Sequence, residues 1–150
     1  YSLFAIKFWY YPLLPYYRNY ISFVTGQKNK DAYFSSFDPR LPSMYAVSEK
    51  IAASTTSDDR IFVWGDYPMI YALSRRLPPG RYTSSYHIKD FGGFAETTAA
   101  IEKVSPKYII VDTRYTSVYP DLAGILSDEY IHAGRFDDFV IYRFSGKHSL

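Results

Sequence analysis

The chain has 150 residues, enough for one packed domain with a substantial core, and no cysteine, which removes disulfides, thiolate metal sites and thiol nucleophiles. Seventeen basic residues against fifteen acidic ones leave a net charge of +2, too small and too dispersed for the basic footprint of a nucleic-acid binder. Aromatic residues are the outlier, at 20% of the chain with 17 tyrosines. Such rings suit an apolar body with a wet edge, as at a membrane interface or a sugar-binding surface, and they also fill ordinary cores and strands.

Residues 1–25 form the most hydrophobic stretch, interrupted by Lys7, Pro12, Pro15 and Arg18. Their longest uncharged run, 8–17, falls well short of the roughly 20 residues a spanning helix needs. A basic start, apolar centre and small-residue cleavage site are also missing, so a signal peptide does not fit. Two readings of residues 1–31 stand: an aromatic juxtamembrane segment whose Lys7 and Arg18 snorkel toward headgroups, or an N-terminal arm packed on the domain. Opening on Tyr1 rather than methionine, the chain reads as a piece of something longer.

Residues 32–150 are expected to form a single α/β domain with a leading helix. After the polar break 26–30, Asp38 and Pro39 look like a cap and first turn. The spacing of Leu41, Met44, Tyr45, Ser48, Ile51 and Ala52 predicts a helix over 41–53. The run Ile61, Phe62, Val63, Trp64, stopped by Gly65, reads as a buried strand. Asp66 is expected to cap the following helix, with Pro68 in its first turn and Ile70, Leu73 and Leu77 on its apolar face. Pro78, Pro79 and Gly80 end that helix, and 81–85 reads as a second strand. A polar-aromatic loop over 86–93 leads to a helix carrying Phe94, Thr98, Ile101 and Val104. Tyr108, Ile109, Ile110 and Val111 then read as a strand covered on both faces. Ser117 is expected to cap a helix with Leu122, Ile125 and Leu126 inward. Strands over 130–136 and 139–144 close the chain as an antiparallel hairpin around Asp137 and Asp138, with a frayed end over 146–150.

This alternation predicts a three-layer Rossmann-like α/β domain, with a mostly parallel sheet, helices on both faces and the C-terminal antiparallel hairpin at one edge. Ligands in such sheets gather beyond the carboxyl ends of the strands. That rule, with the chemistry of the residues, nominates Trp64, Asp66, Arg81, Tyr86, His87, Arg114 and Tyr115 for substrate binding, able to stack a sugar ring, hold hydroxyls and neutralise a phosphate. The same residue types are common in surface loops. No metal is expected, since His87, His132 and His148 lack ligand spacing, and no cofactor, since neither a dinucleotide fingerprint nor a phosphate-binding lysine loop occurs. The Ser84, Ser85 and His87 group lacks a nucleophile elbow. The pairs Asp58–Asp59 and Asp137–Asp138 read as turn residues.

From Arg60 onward the order of motifs resembles the soluble C-terminal region of bacterial GT-C class membrane glycosyltransferases, the protein-mannosyltransferase and aminoarabinose-transferase-like group. The matching pieces are FVWGDYP with Tyr71, then Arg81 and Tyr82 after the proline break, SPKYIIVD with Pro106, Tyr108, Ile109 and Val111, and Leu126 and Tyr130 before VIYRF. The resemblance spans about residues 42–144. It implies a parent enzyme of the cell membrane that transfers a sugar from a polyprenyl-phosphate carrier, with this domain on the extracytoplasmic face, tied to the membrane through transmembrane segments outside these residues. It also implies that the catalytic acidic residue lies in an early loop outside these residues, so no residue here is assigned as catalytic and the piece is expected to be inactive alone. The implied role is to shape the acceptor or carrier entrance, with a glycan or lipid-linked sugar as partner and no nucleic acid. The residues alone equally allow a free-standing carbohydrate-binding module or a small soluble α/β enzyme.

Overall fold

A computed structural model describes residues 1–5, 7, 13–115 and 117–146. The chain divides into two compact units, Tyr1–Pro42 and Ser43–Leu150.

In the first unit, α1 (Ser2–Ala5), α2 (Leu13–Val24) and α3 (Lys30–Ser35) are helical. Pro15 falls in the first turn of α2, where a missing N–H costs little. Asn29 caps α3, its side chain accepting from the Ala32 N–H at 2.8 Å. The Phe23 and Tyr33 rings stack at 4.5 Å and fix α3 against α2. The described residues contain no helix long and apolar enough to cross a membrane.

The second unit is built on a four-stranded sheet: β1 (Ile61–Trp64), β2 (Tyr108–Asp112), β3 (Tyr130–Phe136) and β4 (Phe139–Phe144), in the order β1-β2-β4-β3. Only β1 and β2 run parallel; β2 with β4 and β3 with β4 are antiparallel. The helices in this part of the chain are α4 (Leu41–Ser54), α5 (Pro68–Ser74), α6 (Ser85–Asp90), α7 (Phe94–Val104) and α8 (Leu122–Glu129).

The predicted α/β class holds, but the mostly parallel, three-layer Rossmann-like sheet does not. The physical reason lies at 81–85. Ser85 spends its backbone N–H and its hydroxyl on Gly65 at the end of β1, and the chain turns there into α6 instead of laying a strand beside the sheet. With no third parallel strand, β4 takes the place next to β2, and the hairpin supplies half of the sheet rather than one trimming edge.

Strand alternation divides the core. Phe62, Trp64 and Ile109 join Ile88 of α6, Ile101 of α7, Leu122 of α8, Tyr119 and Tyr130 in one buried cluster. Ile61, Val63, Tyr108, Ile110, Phe139 and Ile141 point the other way and are also buried. There the Val63 N–H donates to the Tyr71 hydroxyl at 2.8 Å and Tyr67 meets Phe139 edge to face at 4.9 Å. Helix α4 buries Met44, Val47 and Ile51. Ser43 near its start donates to Asp137 in the hairpin turn, and Thr55 just past its end accepts from Arg76 at 2.7 Å.

Three further expectations are corrected. Helix α5 ends at Ser74, with Arg75 in the left-handed region at φ 55°, so Leu77 is not on a helical face. It pairs instead with Arg60, its carbonyl accepting from the Ile61 N–H, and its side chain is exposed. The 86–93 loop is largely α6, because the Asp66 carboxylate accepts the Tyr86 N–H in its first turn and Ile88 gives the turn a residue to bury. Asp121, not Ser117, stands at the N-cap position of α8.

Candidate functional site

The carboxyl ends of β1 and β2 are tied together by buried polar chemistry. Asp112 is 4% exposed; one carboxylate oxygen accepts from the Tyr67 hydroxyl at 2.7 Å and the other from the Arg114 N–H at 2.9 Å. The Arg114 guanidinium lies 3.7 Å from Asp112 and 2.7 Å from Asp138. Gly65 passes so close to this knot that a Cβ there would sit 3.0 Å from the Tyr67 ring and 3.2 Å from Asp112 Cβ, at a φ of +155°. Asp112 is thus buried with both oxygens hydrogen-bonded, tying β2 to Tyr67, and Arg114 closes the hairpin turn.

Asp66 does not cap α5, whose N-cap position is Tyr67 with no side-chain bond. Its carboxylate accepts instead from the Tyr86 N–H at 3.0 Å, in the first turn of α6. The Ser85 hydroxyl accepts from the Gly65 N–H at 2.7 Å and donates to the Gly65 carbonyl at 3.1 Å. Residues 65 and 66 thus clip α6 onto the end of β1. Tyr115 lies beside this clip, its ring edge-on to Trp64 at 5.3 Å. Burial pushes the Tyr115 phenol up, against a bond to Ser117 that lowers it, with the Asp66 and Asp90 charges adding to the rise. Trp64 is 3% exposed, packed against Tyr119 and Phe94, and offers no stacking face.

The accessible chemistry lies on the far side of α6. Arg81, Tyr82, His87 and Phe91 line an open groove of about 380 Å³. The Arg81 guanidinium rests 4.7 Å from the Tyr82 ring centre, donates to the Tyr82 hydroxyl at 2.6 Å and pairs with Glu96 at 2.9 Å. His87 lies between the rings of Tyr86, at 3.9 Å, and Phe91, at 5.8 Å. Phe91 is 71% exposed. Gly93 makes room for this arrangement, since a Cβ there would come within 2.5 Å of the Tyr82 ring.

Of the seven nominated residues, Arg81 and His87 share the groove and Tyr86 flanks His87 on α6. Asp66 and Tyr115 stay at the strand ends, Trp64 is core and Arg114 is a hairpin brace. Tyr82 and Phe91 were not nominated; the cue was there, an aromatic beside Arg81 and another four residues after His87, one helical turn apart. Among the described residues no three His, Asp or Glu side chains gather to hold a metal. His132 faces the Tyr142 ring on the hairpin, and His148 lies outside the described residues. Comparison with family models, curated proteins and solved structures gave no match.

Proposed function

We propose that this chain is a non-catalytic extracytoplasmic domain of an integral-membrane glycosyltransferase, helping to seat a sugar carried on a polyprenyl phosphate. The observation that carries the reading is the groove on α6: a guanidinium, an imidazole and two aromatic faces. Arginine suits a phosphate oxygen pair, and exposed aromatic faces suit the apolar side of a sugar ring. The Arg81–Glu96 pair is solvent-exposed on both sides, so exchanging it for a phosphate costs little. The carboxylates at the strand ends fit a binding role rather than transfer, because Asp112 is buried and hydrogen-bonded through both oxygens and Asp66 serves a helix start. The same groove on a free-standing module is the second reading.

The coding sequence upstream of the Tyr1 codon separates the two. The membrane reading expects several apolar spans of about 20 residues there, with an acidic loop between early ones. Their absence from the complete open reading frame would sink it and leave the free-standing module.

A further inference from the structure

Helix α2 is turned inside out for a helix of a water-soluble unit. Its one buried residue is polar, Asn19, which accepts from Lys28 at 2.7 Å and donates to the Tyr33 carbonyl at 3.3 Å. Its apolar residues Leu14, Tyr17, Ile21 and Val24 repeat at the three- and four-residue spacing of a single stripe, and all are exposed, by 82, 57, 56 and 56%. Tyr20 widens the stripe on one side at 50% exposed, and Arg18 borders it on the other. Helix α3 occupies the opposite side, around Asn19 and Phe23, so the stripe is the face that α3 does not cover.

Charge says what suits this face. Residues 1–42 carry five basic side chains against two acidic ones, a balance of +3, whereas residues 43–150 carry twelve against thirteen. An open cavity of about 960 Å³ borders the stripe, where Leu14 meets Arg18, Asn19 and Lys28, bringing two cations to its rim. Two copies of so basic a unit would meet charge against charge, while an anionic headgroup layer matches both features: apolar and tyrosine side chains sink to the acyl boundary and the cations stay at phosphate depth.

We propose that the Leu14–Tyr17–Ile21–Val24 stripe of α2 lies in the interface of an anionic lipid bilayer, with Arg18 at its border on a lipid phosphate. The inference stands on α2 and not on the sugar groove, so either can fail without the other. The test is co-sedimentation of the 150-residue chain with phosphatidylcholine vesicles and with vesicles containing phosphatidylglycerol. Binding to the anionic vesicles is expected, weakening as salt is raised. The exposed triple variant Leu14→Ser, Tyr17→Ser, Ile21→Ser should lose about tenfold or more in partitioning, since the stripe supplies the apolar area. Arg18→Gln should weaken binding to anionic vesicles alone. Circular dichroism of each variant confirms that the helices persist; a variant that loses them is replaced by Ile21→Ser alone. The proposal is overturned by no vesicle binding, by equal binding to both compositions, or by concentration-dependent dimerisation that the triple variant abolishes while vesicle binding is unaffected.

Discussion

Two glycines carry constraints that their neighbours in sequence only hint at. At Gly65 the backbone runs against the Tyr67 ring and Asp112 Cβ, in a conformation that side chains rarely adopt. Gly65→Ala should therefore cost about 1–3 kcal/mol by pressing on the Tyr67–Asp112 hydrogen bond. A urea midpoint equal to the parent's would show that the knot yields freely. Gly93 acts differently, because its missing Cβ faces the far end of the Tyr82 ring, which can swing away. Its substitution should spare the fold and spoil the groove.

At the scale of elements, α6 matters most. It has six residues and buries a single apolar one, Ile88, so its place depends on the polar clip to β1. Ser85→Ala removes the acceptor of the buried Gly65 N–H, while the Gly65 carbonyl keeps the Ser85 N–H. The expected loss is about 1–3 kcal/mol, with faster amide exchange over α6 than over β2. Equal exchange would place the hold elsewhere. This clip also marks where the sequence could and could not be read. The runs Ile61 to Trp64 and Tyr108 to Val111 announce themselves because burial sets their pattern, and the hairpin because the Asp137–Asp138 turn separates two β-prone runs. Residues 81–85 carry tyrosine and threonine and look like a strand, yet Ser85, whose backbone N–H and hydroxyl both bind a glycine twenty residues away, overrides that local preference. Asp66 was legible as a capping residue; which helix it serves depends on contacts twenty residues away.

At the scale of the whole molecule, the described tyrosines include, beside those of the groove, a core set and an exposed set on α2. Tyr67, Tyr71, Tyr119 and Tyr130 are core, their hydroxyls bonded to Asp112, the Val63 N–H, Thr98 and the Pro106 carbonyl. Tyr16, Tyr17 and Tyr20 of α2 are exposed. Composition could not separate these, since both suit a ring with a polar tip. The buried set predicts alkaline sensitivity. Burial pushes the Tyr119 phenol up from 10.0 to about 12, against the Thr98 bond that lowers it, and burial likewise raises Tyr71 and Tyr130. Above the unfolded value the unfolded chain releases protons that the folded chain retains. Stability should thus hold below about pH 10 and fall toward about pH 12, the Tyr119 value. Urea midpoints flat across that window would contradict the assignment.

The nominated site changed in kind at this scale as well. The topological rule pointed to the strand ends, but those ends are knotted shut by Asp112, Arg114 and Tyr67, and the open surface lies over α6. The sugar-carrier reading therefore turns on that groove. Its most direct test is a heteronuclear NMR titration of the chain with a hexose 1-phosphate, with Arg81→Gln and Gly93→Ala as comparisons. Shifts confined to Arg81, Tyr82, His87 and Phe91, lost in Arg81→Gln and weakened in Gly93→Ala, are the expected result. Silence at those four residues, or shifts that persist unchanged in Arg81→Gln, would contradict the account.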